Sequence, residues 1–238
     1  MFKFVANIVT YNVLTKKTSY LILFIAVYLF SSCSKDKDRD SVTDINGNVY
    51  ETVVIGEQVW MAENLKVTKF NDGSAIKLVE EKEEWGNITD AAFSWYDNDS
   101  SLYGNQYGAL YNGYAAQNKN ICPTGWHVPS VNDFLKLIET LGDMNTSGRR
   151  LKSDDELQWH TPNTDADNSS HFSALPAGMR YFEGTFSSIS YFTGYWSSTE
   201  VNSDTATFIS LSYLDSNIIL SNNSKKSGFS IRCVKNSQ

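Results

Sequence analysis

The stretch Cys122-Pro-Thr-Gly-Trp-His-Val-Pro-Ser130 leads directly into the clearest helical pattern of the chain. Ser130-Val-Asn-Asp133 resembles a capping box with Asp in place of Glu, and Pro129 precedes it. Apolar side chains then recur at helical spacing, and Gly142 provides a stop; they are Phe134, Leu137, Ile138 and Leu141. The segment predicts one main helix near residues 130–141.

On both sides of this helix the pattern is that of strands and loops. Asn48–Ile55 and Gln58–Leu65 are rich in β-branched and aromatic residues and are separated only by Gly56-Glu57, which predicts a hairpin. Residues 66–121 carry isolated aromatics among turn residues, and from Phe172 onward short apolar runs alternate with Gly, Ser and Asn. A short helical piece is expected at residues 148–153. We therefore predict a loop-rich α+β fold with small antiparallel sheets.

Composition excludes several classes of function. The 238 residues are 41% apolar and 13% aromatic, enough for a folded core. With 20 basic and 27 acidic side chains the formal charge is −7, and nucleic-acid binding would require a basic stripe. No Cys-x-x-Cys, His-x-x-x-His or glycine-rich phosphate loop occurs. We expect no nucleic-acid partner, no cofactor and no metal.

The first 32 residues have the pattern of an export signal. They contain three lysines and no acidic residue, and the apolar run from Tyr20 to Phe30 is shorter than the roughly 20 residues that span a bilayer. Ser31-Ser32-Cys33 resembles a bacterial lipobox, in which the cysteine becomes the lipidated first residue. Residues 1–32 are therefore predicted to be a lipoprotein signal peptide. The alternative is an ordinary signal in which Cys33 is incidental.

Residues 33–42 are predicted to be a charged tether that holds the folded part away from the membrane. Removal of the three lysines with residues 1–32 changes the formal charge from −7 to −10. Asp36, Asp38 and Asp40 resemble the export tether of Bacteroidetes surface lipoproteins. We therefore expect a lipid anchor in the outer membrane and exposure at the cell surface.

Two cysteines remain once Cys33 carries the lipid. Exported proteins occupy a compartment in which disulfides persist. Cys122 and Cys233 are therefore predicted to pair with each other.

The order of several motifs resembles one protein family. The motifs are Asp44-Ile-Asn-Gly-Asn-Val-Tyr50, Ile55-Gly-Glu-Gln-Val-Trp-Met-Ala-Glu-Asn-Leu-Lys66, Tyr107-Gly-Ala-Leu-Tyr111, Cys122–Ser130, Phe172-Ser-Ala-Leu-Pro-Ala-Gly178, Tyr195-Trp-Ser-Ser-Thr-Glu200 and Gly228-Phe-Ser-Ile-Arg-Cys-Val-Lys235. They look like the signature blocks of the Fibrobacter succinogenes major paralogous domain, which is expected over residues 43–238. Members are typically secreted or lipid-anchored proteins of Bacteroidetes-like bacteria.

A more distant similarity concerns the fold. Trp126–Ser130 with its helix, Tyr195–Ser198 and the closing Gly228–Val234 are similar to formylglycine-generating-enzyme-like domains. The resemblance implies an irregular C-type-lectin-like fold. Those enzymes use reactive cysteines, whereas both remaining cysteines here are predicted to form a disulfide, so oxidase chemistry is not expected.

A candidate binding surface lies between Phe186 and Lys226, where Ser, Asn, Tyr, Thr and Asp are concentrated. Tyr provides contact area at low entropic cost, and Ser and Asn hydrogen-bond adaptably. The corresponding stretch of lectin-like folds carries the ligand. The predicted ligand-binding residues are Tyr191, Tyr195, Trp196, Asn202, Tyr213, Asn217 and Asn222. Two alternatives are a solvated edge of sheet and loop, and, for Trp60, Tyr195 and Trp196, a place in the core.

Groups with catalytic potential each have a structural alternative. His127 is interpreted as a packed or hydrogen-bonded histidine, with catalysis as the alternative. His160 and His171 flank a loop with Asp165 and Asp167 at a spacing that matches no standard metal site. The carboxylates of Glu63 and Glu200 would need to lie roughly 5–10 Å apart to form a glycosidase pair.

Two hypotheses follow for function. The first is a non-catalytic binding or adhesion module for glycan or protein ligands, anchored at the cell surface. The second is an envelope hydrolase or modifying enzyme on a formylglycine-generating-enzyme-like fold. The sequence indicates no oligomeric state.

Overall fold

Two β-sheets and one main helix organise residues 40–237, the part of the chain that the computed structural model describes. Cys33, the predicted signal peptide and most of the predicted tether lie outside these residues. The described residues belong to one unit, Arg39–Gln238, of mixed α and β structure, as predicted. Within residues 40–237, no helix has both the length and the apolar content needed to cross a bilayer.

The strands follow one another along the chain with short helical pieces between them. The strands are β1 Ser41–Thr43, β2 Val49–Ile55, β3 Gln58–Met61, β4 Lys77–Leu78, β5 Ala92–Ser94, β6 Leu110–Asn112, β7 Trp126–His127, β8 Ala177–Arg180, β9 Phe186–Ile189, β10 Phe192–Glu200, β11 Thr205–Ser212, β12 Ile219–Ser224, β13 Gly228–Phe229 and β14 Val234–Lys235. The helical segments are Lys82–Asn87, Tyr96–Asn98, Ser100–Gly104, Asn105–Tyr107, Gly113–Ala116, the main helix Val131–Leu141, and Gly148–Leu151.

The first sheet has five strands in the order β1-β2-β3-β14-β7. All of its pairs are antiparallel, and the predicted hairpin forms its centre, with Val53 opposite Trp60. Gly56 has φ +60° in the turn, a conformation that glycine adopts at little cost. The second hairpin strand ends at Met61, four residues earlier than Leu65. In this strand order the last strand of the chain, β14, lies beside β3 of the first hairpin.

The second sheet has nine strands in the order β12-β11-β10-β8-β13-β6-β5-β4, with β9 added to β8. The expectation of small antiparallel sheets is wrong here, because the sheet is large and the pairs β10–β8 and β4–β5 are parallel. The two-residue strand β13 pairs with both β6 and β8, and so joins the two halves of the sheet. The edge strand β12 pairs with β11.

The main helix begins and ends as predicted. The Asp133 backbone N–H donates to Ser130 Oγ (3.2 Å), and the Ser130 backbone N–H donates to Asp133 Oδ2 (2.8 Å), which completes a capping box. The four apolar residues of the helix are buried, and Gly142 at its end has φ +137°. The helix packs into a core cluster that also contains Trp60.

The predicted disulfide is present. Cys122 and Cys233 are bonded, and their Cα atoms lie 6.0 Å apart. Both side chains are buried in a second core cluster with Tyr111 and Phe229. The bridge connects the segment before the main helix to the end of the chain.

Candidate functional site

The segment from His160 to Thr164 is held between two neighbouring loops. The His160 backbone N–H donates to the Ser190 carbonyl (2.7 Å), just before β10. The Thr164 backbone N–H donates to the Tyr213 carbonyl (3.0 Å), and its hydroxyl donates to the Leu214 carbonyl (2.8 Å). The segment therefore holds the residues that precede β10 in a fixed position relative to the end of β11.

Three rings meet at this point and form a surface that we call the aromatic platform: His160, Tyr191 and Tyr213. The His160 ring stacks on Tyr191 with centroids 4.5 Å apart, and Tyr213 meets both rings edge-on at 5.5 and 5.0 Å. Tyr191 is 41% exposed, His160 is exposed and Tyr213 is half-buried. The platform offers apolar ring surface and polar ring edges to one ligand.

A buried lysine supports the platform from within. Lys152 is 0% exposed, and its Nζ donates to the carbonyls of Thr164 (3.0 Å), Ser212 (3.2 Å) and Asp215 (2.9 Å). Ser212 and Asp215 lie on either side of Tyr213 in the chain, and Thr164 is on the segment whose backbone bonds to Tyr213. Desolvation lowers the pKa of Lys152 to about 8, against the opposing attraction of Asp215 and Asp165. The ammonium group therefore acts as a fixed link between the loops.

A polar depression of about 480 Å³ lies beside the segment that follows His160 in the chain. Thr161 and Pro162, which follow His160, line it; the other lining residues are Asp154, Glu156, Trp159, Asn163 and Ala166. Asn163 donates to the Ser153 carbonyl (3.0 Å), while its Oδ1 is buried without a partner in the described part of the chain. Two carboxylates, a hydroxyl and an amide suit the hydroxyl groups of a polyol.

Only part of the predicted binding surface comes together. Tyr191 and Tyr213 lie side by side, because Phe192 pairs with Ser212 and the next residues of both strands meet at this end. Asn217 is half-buried in the loop between β11 and β12, and its N–H donates to Asp215 Oδ1 (2.9 Å). Of the predicted residues, Tyr191 and Tyr213 therefore lie together at one end of the β10–β11 hairpin.

Tyr195 and Trp196 are corrected, because the structure places both in the core. Each is 0% exposed. They lie on opposite faces of β10, and both faces are covered: Tyr195 packs in the cluster of the main helix, and Trp196 contacts Phe229 with centroids 4.9 Å apart. Neither side chain reaches the surface to contact a ligand.

The two remaining asparagines lie away from the platform. Asn202 is in the turn at the far end of the hairpin, where its Oδ1 accepts from the Asp204 N–H (2.9 Å). Asn222 on β12 accepts from the Thr207 hydroxyl (3.0 Å). β10 has nine residues, about 30 Å at 3.4 Å per residue, so the turn is remote from Tyr191.

Other groups from the sequence have defined places. His127 lies between Asn236 Oδ1 (Nδ1, 2.7 Å) and Asp133 Oδ2 (Nε2, 3.3 Å), in agreement with a hydrogen-bonded histidine. Trp60 is buried against Phe134. Glu200 accepts from Lys225 Nζ at 2.6 Å.

Two further groups with catalytic potential, Glu63 and His171, share a cavity. Glu63 and His171 both line a polar cavity of about 310 Å³, together with Asn168 and Gln106. Within residues 40–237, no three His, Cys, Asp or Glu side chains converge in a way that could hold a metal ion. His160 instead belongs to the platform.

Sequence reasoning missed Lys152 and the stacking role of His160. Lys152 lies at the end of the short helical piece expected at residues 148–153, and nothing local indicates that three distant carbonyls surround its ammonium group. The one available signal for His160 is its position beside Trp159 in a polar loop.

Comparisons with known proteins identify a family. The family model described as Fibrobacter succinogenes major domain matches residues 53–235. No curated protein and no solved structure matches the chain.

Proposed function

The chain belongs to the Fibrobacter succinogenes major domain family, and we propose that it is a surface lipoprotein that binds saccharides on its aromatic platform without catalysis. The observation that supports this proposal most is the three-ring contact of His160, Tyr191 and Tyr213 at the surface. Sugars present apolar C–H faces that pack on such rings and hydroxyls that hydrogen-bond to nearby polar groups. The adjoining depression supplies those polar groups.

The proposal includes a C-type-lectin-like fold. Three features support it: the closing strand β14 beside the first hairpin, the single main helix, and the long ordered loops between them. Fold alone does not give function, so the platform carries the functional argument. The proposal also includes lipidation at Cys33 and exposure on the outer membrane, supported by the lipobox-like Ser31-Ser32-Cys33 and the acidic residues after it.

A glycan array with detergent-solubilised full-length protein tests the binding function. Replacing both Tyr191 and Tyr213 with Ala should remove binding to any saccharide that the native protein retains, since stacking surface is lost. Tyr181→Ala is the matched control, because Tyr181 is 39% exposed and lies on the separate turn between β8 and β9. Retention of saccharides by the double variant would contradict the proposal, as would binding to protein ligands only.

The cavity shared by Glu63 and His171 favours one alternative, an envelope hydrolase, because a carboxyl and an imidazole can act as general acid and base. Incubation with envelope polysaccharides distinguishes the two functions. Product release that is lost in Glu63→Gln and retained in the double tyrosine variant would favour the hydrolase.

A further inference from the structure

A second pocket, separate from the aromatic platform, lies beside the β1–β2 turn. We call it the amide pocket; it has a volume of about 340 Å³, within the range of small-ligand sites. Residues that line it include Asn46, Asn48, Lys66, Trp95, Gly104 and Asn105. Lys66 is the one charged residue among the described residues that line it.

The two asparagines of the turn are held in place by Asp44. This buried carboxylate accepts from the N–H groups of Asn46 (2.8 Å) and Asn48 (3.0 Å), from Asn48 Nδ2 (2.8 Å) and from the Tyr50 hydroxyl (2.7 Å). The Asn46 Oδ1 in turn accepts from the Thr68 N–H (2.9 Å). The Asp44 carboxylate is thus held by four donors, and the two amides are fixed before a ligand binds.

Lys66 has its backbone fixed by the same network. Its N–H donates to the Tyr50 hydroxyl (3.0 Å), and its Nζ lies 5.8 Å from the Tyr50 ring centroid. Its ammonium group forms no ion pair with any acidic residue in the part of the chain that the structure describes. Three amides therefore line the same pocket as an ammonium group that makes no direct ion pair with the described carboxylates.

Trp95 provides an apolar wall. The indole packs edge-on against Phe93 with centroids 5.5 Å apart, and Trp95 is half-buried. A Cβ at Gly104 would lie 3.0 Å from the indole Cε3, so the Gly104 backbone packs closely against the six-membered part of the ring. The pocket therefore combines a ring surface, amides and one cation.

We infer that the amide pocket binds a sugar ring that carries a carboxylate, such as a uronic acid unit. The Lys66 ammonium group would bind the carboxylate, the amides of Asn46 and Asn48 would bind hydroxyls, and the indole would contact the C–H face of the ring. This inference stands independently of the platform, because the pocket is built from other segments of the chain.

Titration calorimetry with an oligogalacturonide and with its methyl ester tests the inference on the detergent-solubilised full-length protein. The ester keeps the rings and removes the negative charge. A hydrogen bond between the Lys66 ammonium group and the ionised carboxylate is strong enough to make the native protein prefer the carboxylate form over the ester by about tenfold. Lys66→Gln should abolish this preference, whereas Lys69→Gln, an exposed lysine outside the pocket, should retain it.

A second variant keeps the test decisive if Lys66→Gln folds poorly. Gly104 has φ −63° and ψ −42°, which alanine also adopts, so Gly104→Ala leaves the backbone unstrained, and its methyl group, 3.0 Å from the indole Cε3, displaces the ring that forms the pocket wall. It should weaken binding of both ligands by about tenfold. Equal binding of acid and ester by the native protein would overturn the inference, as would binding of an acidic peptide without any saccharide. The variant lacking both platform tyrosines should bind the acid normally, so failure of the platform proposal is recognised separately.

Discussion

At the scale of single residues, Arg232 shows what the family motifs encode. The side chain is 0% exposed, and its Nε and Nη2 donate to Asn64 Oδ1 (3.2 and 2.8 Å) while Nη1 donates to the Phe172 carbonyl. The guanidinium lies 4.2 Å from the Phe172 ring centroid and 5.3 Å from that of Tyr195. Four motifs that are far apart in sequence therefore meet around one buried cation, which makes them determinants of the fold.

The resemblance therefore identified the family without locating a ligand. Tyr195 belongs to a family motif and was predicted to bind, but its ring contacts Arg232 and Phe172 in the core. Tyr191 and Tyr213, which lie outside the quoted motifs, are the residues that reach the surface. A motif that recurs for packing reasons cannot by itself indicate a binding site.

Lys152 leads to a prediction about pH. An unfolded lysine holds its proton up to about pH 10.4, whereas folded Lys152 releases it near pH 8. Between these values the unfolded state binds more protons, so the free energy of unfolding should rise with pH through this window. Lys152→Met should lack this rise, and should be less stable by about 1–3 kcal/mol because three carbonyls lose their donor.

Urea unfolding of native and variant protein at intervals from pH 7 to 10 measures this difference. Subtraction of the two curves removes the shared contributions of buried tyrosines, whose raised pKa values lower stability only above about pH 10. Lys119→Met, at an exposed lysine, is the control. Parallel pH profiles for native protein and Lys152→Met would contradict the argument.

At the scale of elements, local signals were sufficient where the structure itself is local. The hairpin turn has Gly56 at positive φ, and the main helix has its cap, apolar face and stop within 13 residues. Strand pairing was not predictable in the same way, because β13 has only two residues and pairs with β6 and β8 far away in sequence. For β10, the sequence could not show that both faces are covered, and this produced the error at Tyr195 and Trp196.

The helix cap provides a prediction at this scale. Ser130 Oγ accepts from the Asp133 N–H and donates to Asp133 Oδ2 (2.6 Å), so Ser130→Ala removes both bonds. We expect the free energy of unfolding to fall by about 1 kcal/mol. Chemical denaturation measures it, with Ser203→Ala in the exposed hairpin turn as the control. An equal effect of both substitutions would show that the cap adds nothing specific.

At the scale of the whole molecule, the disulfide joins segments that the sheets also connect. The Cys233 carbonyl accepts from the Met61 N–H (3.0 Å), and the Cys122 carbonyl accepts from Asn71 Nδ2. The bridge spans 111 residues of sequence, and in the chain-entropy model closing such a loop contributes about 4–5 kcal/mol. The closing strand is therefore attached to the first hairpin by hydrogen bonds and to the segment before the main helix by a covalent bond.

Thiol counting on unfolded, unreduced full-length protein tests the bridge and the proposed anchor together. If Cys122 and Cys233 are bonded and Cys33 carries a lipid through its sulfur, no free thiol should be found. One free thiol that disappears in Cys33→Ser would retain the disulfide and contradict lipidation. Two or more free thiols would contradict the disulfide. The protein would then have the free cysteines that a formylglycine-type oxidase requires. The three outcomes are distinct because only Cys33 lies outside the bridge.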